Sequence, residues 1–144
     1  MWLFGYGRGL KLAKIKDGTS NTALISEVRV FDPTNAEEYS EDIRGAWTSA
    51  SMGASTYSHY TTPNSETPDA INGCGSDANS DMLLCELIWP SGDRAGDTYA
   101  AARSEHLGGV VLAKADGSVQ FFSDTVSPKV WSQLATRDEQ SQGE

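Results

Sequence analysis

AARSEHLGGVVLAKADGSVQFFSD, residues 101–124, is the stretch that decides how this chain folds. Val110–Ala115 and Ser118–Ser123 are β-rich runs separated by Asp116-Gly117, a dipeptide that supplies the positive φ angles of a tight type I′ hairpin turn. That two-residue turn pairs Leu112 with Phe121 and Val111 with Phe122, so both faces of the hairpin carry apolar pairs and both are expected to be covered, one by the main core and the other at least partly by neighbouring chain. Gly108-Gly109 lets the backbone turn into the first strand, which leaves His106 at the strand entrance. His106 and Asp116 then lie near opposite ends of one strand, roughly 20 Å or less apart at about 3.4 Å per residue, and do not form an acid/base dyad.

Outward from the hairpin, six landmarks recur in order. They are Asp17-Gly-Thr-Ser-Asn-Thr, Arg44-Gly-Ala-Trp, Pro63-Asn-Ser, the Arg103-Ser-Glu-His run with its nine-residue spacing to Asp116-Gly117, then Trp131, then Leu134-Ala-Thr-Arg137. In this the chain resembles the bacterial prepilin-type family named for its H-x(9)-D-G signature. Arg103, His106, Gly108, Gly109, Asp116 and Gly117 carry the motif. The resemblance covers roughly Lys11 to Arg137. It implies an exported, pseudopilin-like globular domain of the kind found in type IV pili and type II secretion, preceded in the family by a long hydrophobic helix. By the same resemblance calcium is a cofactor to test, with Asp17, Asp116 and Asp124 as oxygen ligands. Family function is otherwise mostly unknown, so no cofactor is assigned.

The N-terminus departs from that pattern. Residues 1–9 begin MWLFGYG, an apolar, Gly-containing segment too short for a signal peptide, and no stretch approaches the ~18 apolar residues of a spanning helix. Either the chain is the distal part of a longer protein, which is the preferred reading, or it stands alone without the assembly helix.

Composition bounds the rest. At 144 residues the chain is read as one domain, 1–144, able to bury around two thirds of its unfolded surface, with a polar tail at 138–144. A hydrophobic content of 38%, a mean hydropathy of −0.42 and 14 glycines indicate a modest core and long connections. The net charge of −9 disfavours nucleic acid and anionic membrane surfaces as partners.

Cys74 and Cys85 stand in a polar, loop-like stretch; in an exported protein such a pair is most simply a disulfide, and zinc would need two more ligands. Leu10–Ile15 and Thr22–Phe31 read as strands, Met82–Trp89 as a buried strand or short helix, and Trp47 as a core residue. Asp17-Gly-Thr-Ser-Asn-Thr is an Asx-type turn, or else an oxygen-rich loop able to hold calcium. Asp32–Asp42 reads as a solvated acidic connection. Residues 48–81 lack periodicity, and within them Tyr57, His59 and Tyr60 form a possible ligand loop suited to carbohydrate or protein contact. Ser127-Pro128 starts a short helix whose Val130, Trp131 and Leu134 recur at helical spacing.

The expected fold is α+β: an antiparallel sheet with a C-terminal hairpin and a short C-terminal helix, loop-rich and pilin-like. Two histidines, and no H-E-x-x-H, G-x-S-x-G, P-loop or dinucleotide fingerprint, leave no catalytic residues to name, so the chain reads as a non-enzyme. For His106 the expected role is structural: it hydrogen-bonds backbone or a carboxylate and locks the hairpin entrance, while Arg103 is expected to pair with Asp116 or Asp124. The favoured function is a structural or interaction domain, self-assembling or joining other protein subunits, in an extracellular, cell-surface or periplasmic compartment. The alternative is a solute- or carbohydrate-binding module.

Overall fold

The computed structural model describes residues 10–31, 42–75, 83–89 and 97–138. The N-terminal apolar segment, most of the acidic connection and residues 139–144 of the tail lie outside them. The architecture is α+β: a small antiparallel sheet, one short C-terminal helix and many loops.

Strands β1 (Ala23–Ser26), β4 (Gly109–Lys114) and β5 (Val119–Ser123) form the antiparallel sheet, in the order β1-β4-β5. Between β4 and β5 lies the expected hairpin, one residue out of the expected register. Ala113 faces Val119, Leu112 faces Gln120, Val111 faces Phe121 and Val110 faces Phe122. The cause is at the turn. Gly117 N–H donates to the Lys114 carbonyl (2.9 Å) and Lys114 N–H to the Ser118 carbonyl (2.8 Å), and of the turn residues only Gly117 has positive φ, at 86°. This is a three-residue loop closed by a left-handed glycine instead of the two-residue I′ turn. The shift sorts the hairpin into two unlike faces. Val110, Leu112 and Phe122 are buried, whereas Val119 is 66% and Phe121 49% exposed. The second face is covered only in part, with Val111 and Ala113 half-buried.

Helix α1 (Pro128–Gln133) closes the buried face. It begins at Ser127-Pro128 as expected, although the Ser127 side chain makes no cap hydrogen bond. Fully buried Trp131 meets Phe122 edge-on, with centroids 5.8 Å apart, and joins Ala23, Ala102, Val110 and Leu112 in one core cluster. Leu134 packs at the margin of this cluster, while Val130 is half exposed.

A second cluster contains Phe31, Ile71, Leu83, Cys85 and Ala100. Strands β2 (Asp69–Ile71) and β3 (Cys85–Leu87) pair there in parallel, a second small sheet beside the antiparallel one. The Cys74–Cys85 disulfide staples β3 to the chain just after β2. Between the clusters runs the extended spine 99–103. Ala100, Ala101 and Ala102 are fully buried, and the spine is hydrogen-bonded to Ser58, Asn64, Ala70 and Glu27. Small side chains allow that close approach on every side.

Three further expectations change. Leu12–Lys14 is a 3-10 turn with no buried residue, because Lys14 and Ile15 bond locally to Lys11 and Leu12 instead of pairing with a strand. Only Ala23–Ser26 of the Thr22–Phe31 run pairs with β4, with a register break between Ala23 and Ile25. Beyond it the chain leaves the sheet, the Glu27 carbonyl accepting from Arg103 N–H and Phe31 N–H donating to the Arg44 carbonyl. Trp47 is 82% exposed, not core: a tight turn (Trp47 N–H to the Gly45 carbonyl, 2.8 Å) throws it outward, with Gly45 at φ 101° and no room for a Cβ beside Val30.

Candidate functional site

Of the motif residues, Arg103, His106 and Gly108 line an open cleft of about 680 Å³ between loop 62–67, segment 103–108, Arg29 and Asp124, while Asp116 and Gly117 lie at the hairpin turn away from it. Asn64 builds its near wall. With φ at 49°, a left-handed conformation that Asn tolerates, Asn64 N–H donates to the Ala102 carbonyl (2.9 Å) and its side-chain oxygen accepts from Ser104 N–H (2.9 Å). Its amide nitrogen donates to Asp124 Oδ1 at 2.9 Å. One side chain thus ties the Pro63-Asn-Ser landmark to both ends of the hairpin. Ser104 continues the tie by donating to the Gly109 carbonyl (2.7 Å) and accepting from His106 N–H (3.1 Å).

Arg103 lies beneath the cleft, buried, and pairs with neither Asp116 nor Asp124. Its Nε and Nη2 donate to the two oxygens of Asp69, each at 2.9 Å, and the remaining donors go to the carbonyls of Ser65 (2.7 Å) and Thr67 (3.1 Å). Asp69 also accepts from Ala101 N–H at 2.9 Å. The sequence reading missed Asp69 because its partner is 34 residues away. A second buried pair, Arg44 with Asp42 at 2.6 Å, holds the disulfide region, where Arg44 also reaches the Leu83 carbonyl and Cys85 Sγ (3.2 Å).

His106 is exposed at the rim. Its Nε2 lies 3.1 Å from Glu27 Oε1, while Glu27 Oε2 accepts from Val111 N–H at 2.7 Å. The carboxylate lock at the hairpin entrance is therefore present. Gly108 takes φ 80°, and a Cβ on Gly109 would run into the Phe122 carbonyl and the Phe121 ring. At the far end of the hairpin Asp116 accepts from Ser118 Oγ (2.7 Å) and N–H (2.9 Å), and these bonds hold its carboxyl below the usual range.

The aromatic loop divides in two. His59 is buried: Nδ1 lies 2.7 Å from the Trp131 carbonyl and Nε2 lies 3.2 Å from the Tyr57 hydroxyl. A carbonyl only accepts, so Nδ1 carries the proton and Nε2 accepts from Tyr57. The imidazole stacks on Trp131 at 4.1 Å, and burial lowers its pKa to about 4, while burial also raises that of Tyr57. Tyr57 and His59 therefore anchor the loop to α1. Tyr60 is 73% exposed and lies 4.6 Å from the Tyr99 ring.

The calcium candidates do not share a site. Asp17 Oδ2 accepts from Thr136 Oγ1 (3.0 Å), and Asp116 N–H reaches the Thr19 carbonyl, so these two lie near the hairpin turn. Asp124 lies at the other end of β5, roughly 17 Å away at about 3.4 Å per residue. Among the described residues one group brings three ligand-type side chains together, Asp42, Cys74 and Cys85. Its sulfurs are joined as a disulfide and its carboxylate is taken by Arg44.

Chemically, the cleft offers both charges and backbone oxygens, with Arg103 held by Asp69 and Arg29 3.0 Å from Glu105. Among the described residues no Phe, Tyr or Trp lines it. Among the described residues no helix is long and apolar enough to cross a membrane. The disulfide is compatible with an extracellular or periplasmic protein. No curated protein and no solved structure matches the chain. Residues 2–129, which span the Asp17 cluster, the buried arginines and the whole hairpin, match the family described as "Protein of unknown function (DUF1559)", and the chain belongs to that family.

Proposed function

We propose that this chain is a non-enzymatic, exported domain of the pilin or pseudopilin type, a structural or interaction subunit of a filament or secretion-related assembly. The observation that supports this reading is the face of the antiparallel sheet that the described residues leave largely uncovered. Ile25, Ala113 and Val119 stand in one row across β1, β4 and β5, and Val111 and Phe121 stand beside them. Ile25 is 61% exposed, and with Val119 and Phe121 it presents apolar area that a solitary domain would leave in water. The disulfide and the ordered H-x(9)-D-G landmarks fit an exported address.

Light scattering on the chromatographically separated chain, over a range of concentrations and with calcium or chelator, tests this. Discrete oligomers or fibres are expected; a monomer under every condition would count against the assembly role. Equal thermal stability with calcium and with chelator would remove calcium as a cofactor.

Exposed Tyr60, paired with half-buried Tyr99, favours a second reading, a solute- or carbohydrate-binding module. A glycan that raises the melting temperature of the native chain but not of Tyr60→Ala would move the assignment there.

A further inference from the structure

The two edges of the antiparallel sheet are not alike. The β1 edge is protected three times over: its register breaks between Ala23 and Ile25, Ala23 N–H donates to the Leu134 carbonyl (2.7 Å), and the Glu27 carbonyl accepts from Arg103 N–H (3.0 Å). Such bulging and covering are the usual defences of an edge strand. Among the described residues the β5 edge has no such cover between Val119 and Phe121.

Hydrogen bonding fixes which groups face outward on β5. Lys114 N–H reaches the Ser118 carbonyl and Asp124 N–H the Gly108 carbonyl, so even-numbered residues of β5 turn their main chain to β4 and odd-numbered ones turn it away. The Ser123 carbonyl accepts from Val126 N–H, where the chain curls towards α1. Among the described residues, Val119 and Phe121 are left with no partner for N–H or C=O. From Ser118 to Ser123 the sequence SVQFFS contains no charge and no proline.

We propose that this edge pairs with the same edge of a second copy of the chain, antiparallel about a two-fold axis at Gln120. The inference rests on the assembly reading above and names its contact. In this register Val119 of each copy exchanges both main-chain bonds with Phe121 of the other, so the unpartnered groups satisfy one another. The side chains match as well. Val119 meets Phe121 of the second copy on the apolar face, and Gln120 meets Gln120 on the opposite face, where two amides can bond. Aromatic and β-branched side chains directly opposed are favourable pairs, and no like charges meet. A second copy suits the edge better than an unrelated strand because the two free residues, two positions apart, are self-complementary under that rotation. Since each copy carries −9, repulsion acts outside the contact, and added salt strengthens the pairing by screening it.

Single-cysteine cross-linking of the full chain tests the geometry. Gln120 is exposed and sits on the axis as a non-hydrogen-bonded pair with Cα atoms about 4.5 Å apart, within disulfide reach, whereas Ser123 lies roughly 20 Å from its own copy. Under mild oxidation Gln120→Cys is expected to form covalent dimer about tenfold faster than Ser123→Cys or more. Sedimentation velocity of the unmodified chain, run alongside in low and high salt, is expected to show more dimer in high salt. If the chain associates but the two cysteine variants cross-link at equal rates, the edge is wrong and the assembly reading stands. If the chain sediments as a monomer at all concentrations and Gln120→Cys does not cross-link preferentially, both are overturned.

Discussion

The two faces of the β4–β5 hairpin differ by the exposure of alternate side chains along the same strands. Val110, Leu112 and Phe122 pack beneath α1 against Trp131; Val111, Val119 and Phe121, one residue away in each strand, look outward with Ile25 beside them. Each face is apolar, so composition does not tell them apart. What distinguishes them is register, because a one-residue change in pairing repartitions every side chain. The closed face is finished by contacts from far along the chain: the His59 ring on Trp131, Tyr57 on His59 and Leu134 at the margin. The open face has no such cover among the described residues, and that asymmetry is what a subunit with one interacting side requires.

If the asymmetry is correct, changes on the two faces have effects of very different size. Trp131→Ala removes a fully buried indole that touches Phe122 and His59 and is expected to cost about 3–5 kcal/mol in chemical denaturation; a loss under about 1 kcal/mol would mean the closed face is not closed.

Acid should open the same face. His59 is neutral in the fold, with its pKa lowered to about 4 by burial, whereas the unfolded chain binds a proton near pH 6.5. Above that pH the group contributes nothing to pH dependence. As pH falls from about 6.5 to about 4 the unfolded state alone gains the proton, so stability declines by about 3 kcal/mol in total. His59→Gln should flatten that part of the profile, and an identical profile would contradict the assignment.

Reducing the Cys74–Cys85 bridge should cost about 2–3 kcal/mol through loop-closure entropy, read as a lower melting temperature. His106→Ala removes a rim contact with Glu27 Oε1 (3.1 Å) that is more than half exposed on the histidine side. A loss of under about 1 kcal/mol is expected, and an unchanged melting temperature would deny even a locking role. On the open face Val119→Thr keeps the branching of a largely exposed side chain and should leave stability within about 0.5 kcal/mol.

Local chemistry made part of this legible. Asp116-Gly117 marked the hairpin, Ser127-Pro128 marked the start of α1, and the Trp131 and Leu134 spacing marked its docking stripe. The turn type was missed because Asp-Gly also suits a three-residue loop in which only the glycine is left-handed, and that choice moved the register by one. Strand β2 was missed because Asp69–Ile71 is three residues long and owes its place to long-range partners, Arg103 and β3. Trp47 misled because an indole usually packs inside, and only the turn at Gly45 reverses it. At the candidate site, the carboxylate expected beside His106 is Glu27, 3.1 Å away but far off in sequence, so its identity was not legible. Asn64, which joins both ends of the hairpin, carried only the weak signal of a Pro-Asn-Ser landmark.

The central claim is that the uncovered β5 side makes this chain a subunit. Sedimentation equilibrium of the native chain beside Phe121→Lys tests it most directly, since a charge on an unprotected edge opposes strand pairing without entering the closed core. The account predicts concentration-dependent association of the native chain and a monomeric, equally heat-stable Phe121→Lys. Association of both to the same degree, or a native chain that stays monomeric at every concentration, would contradict it.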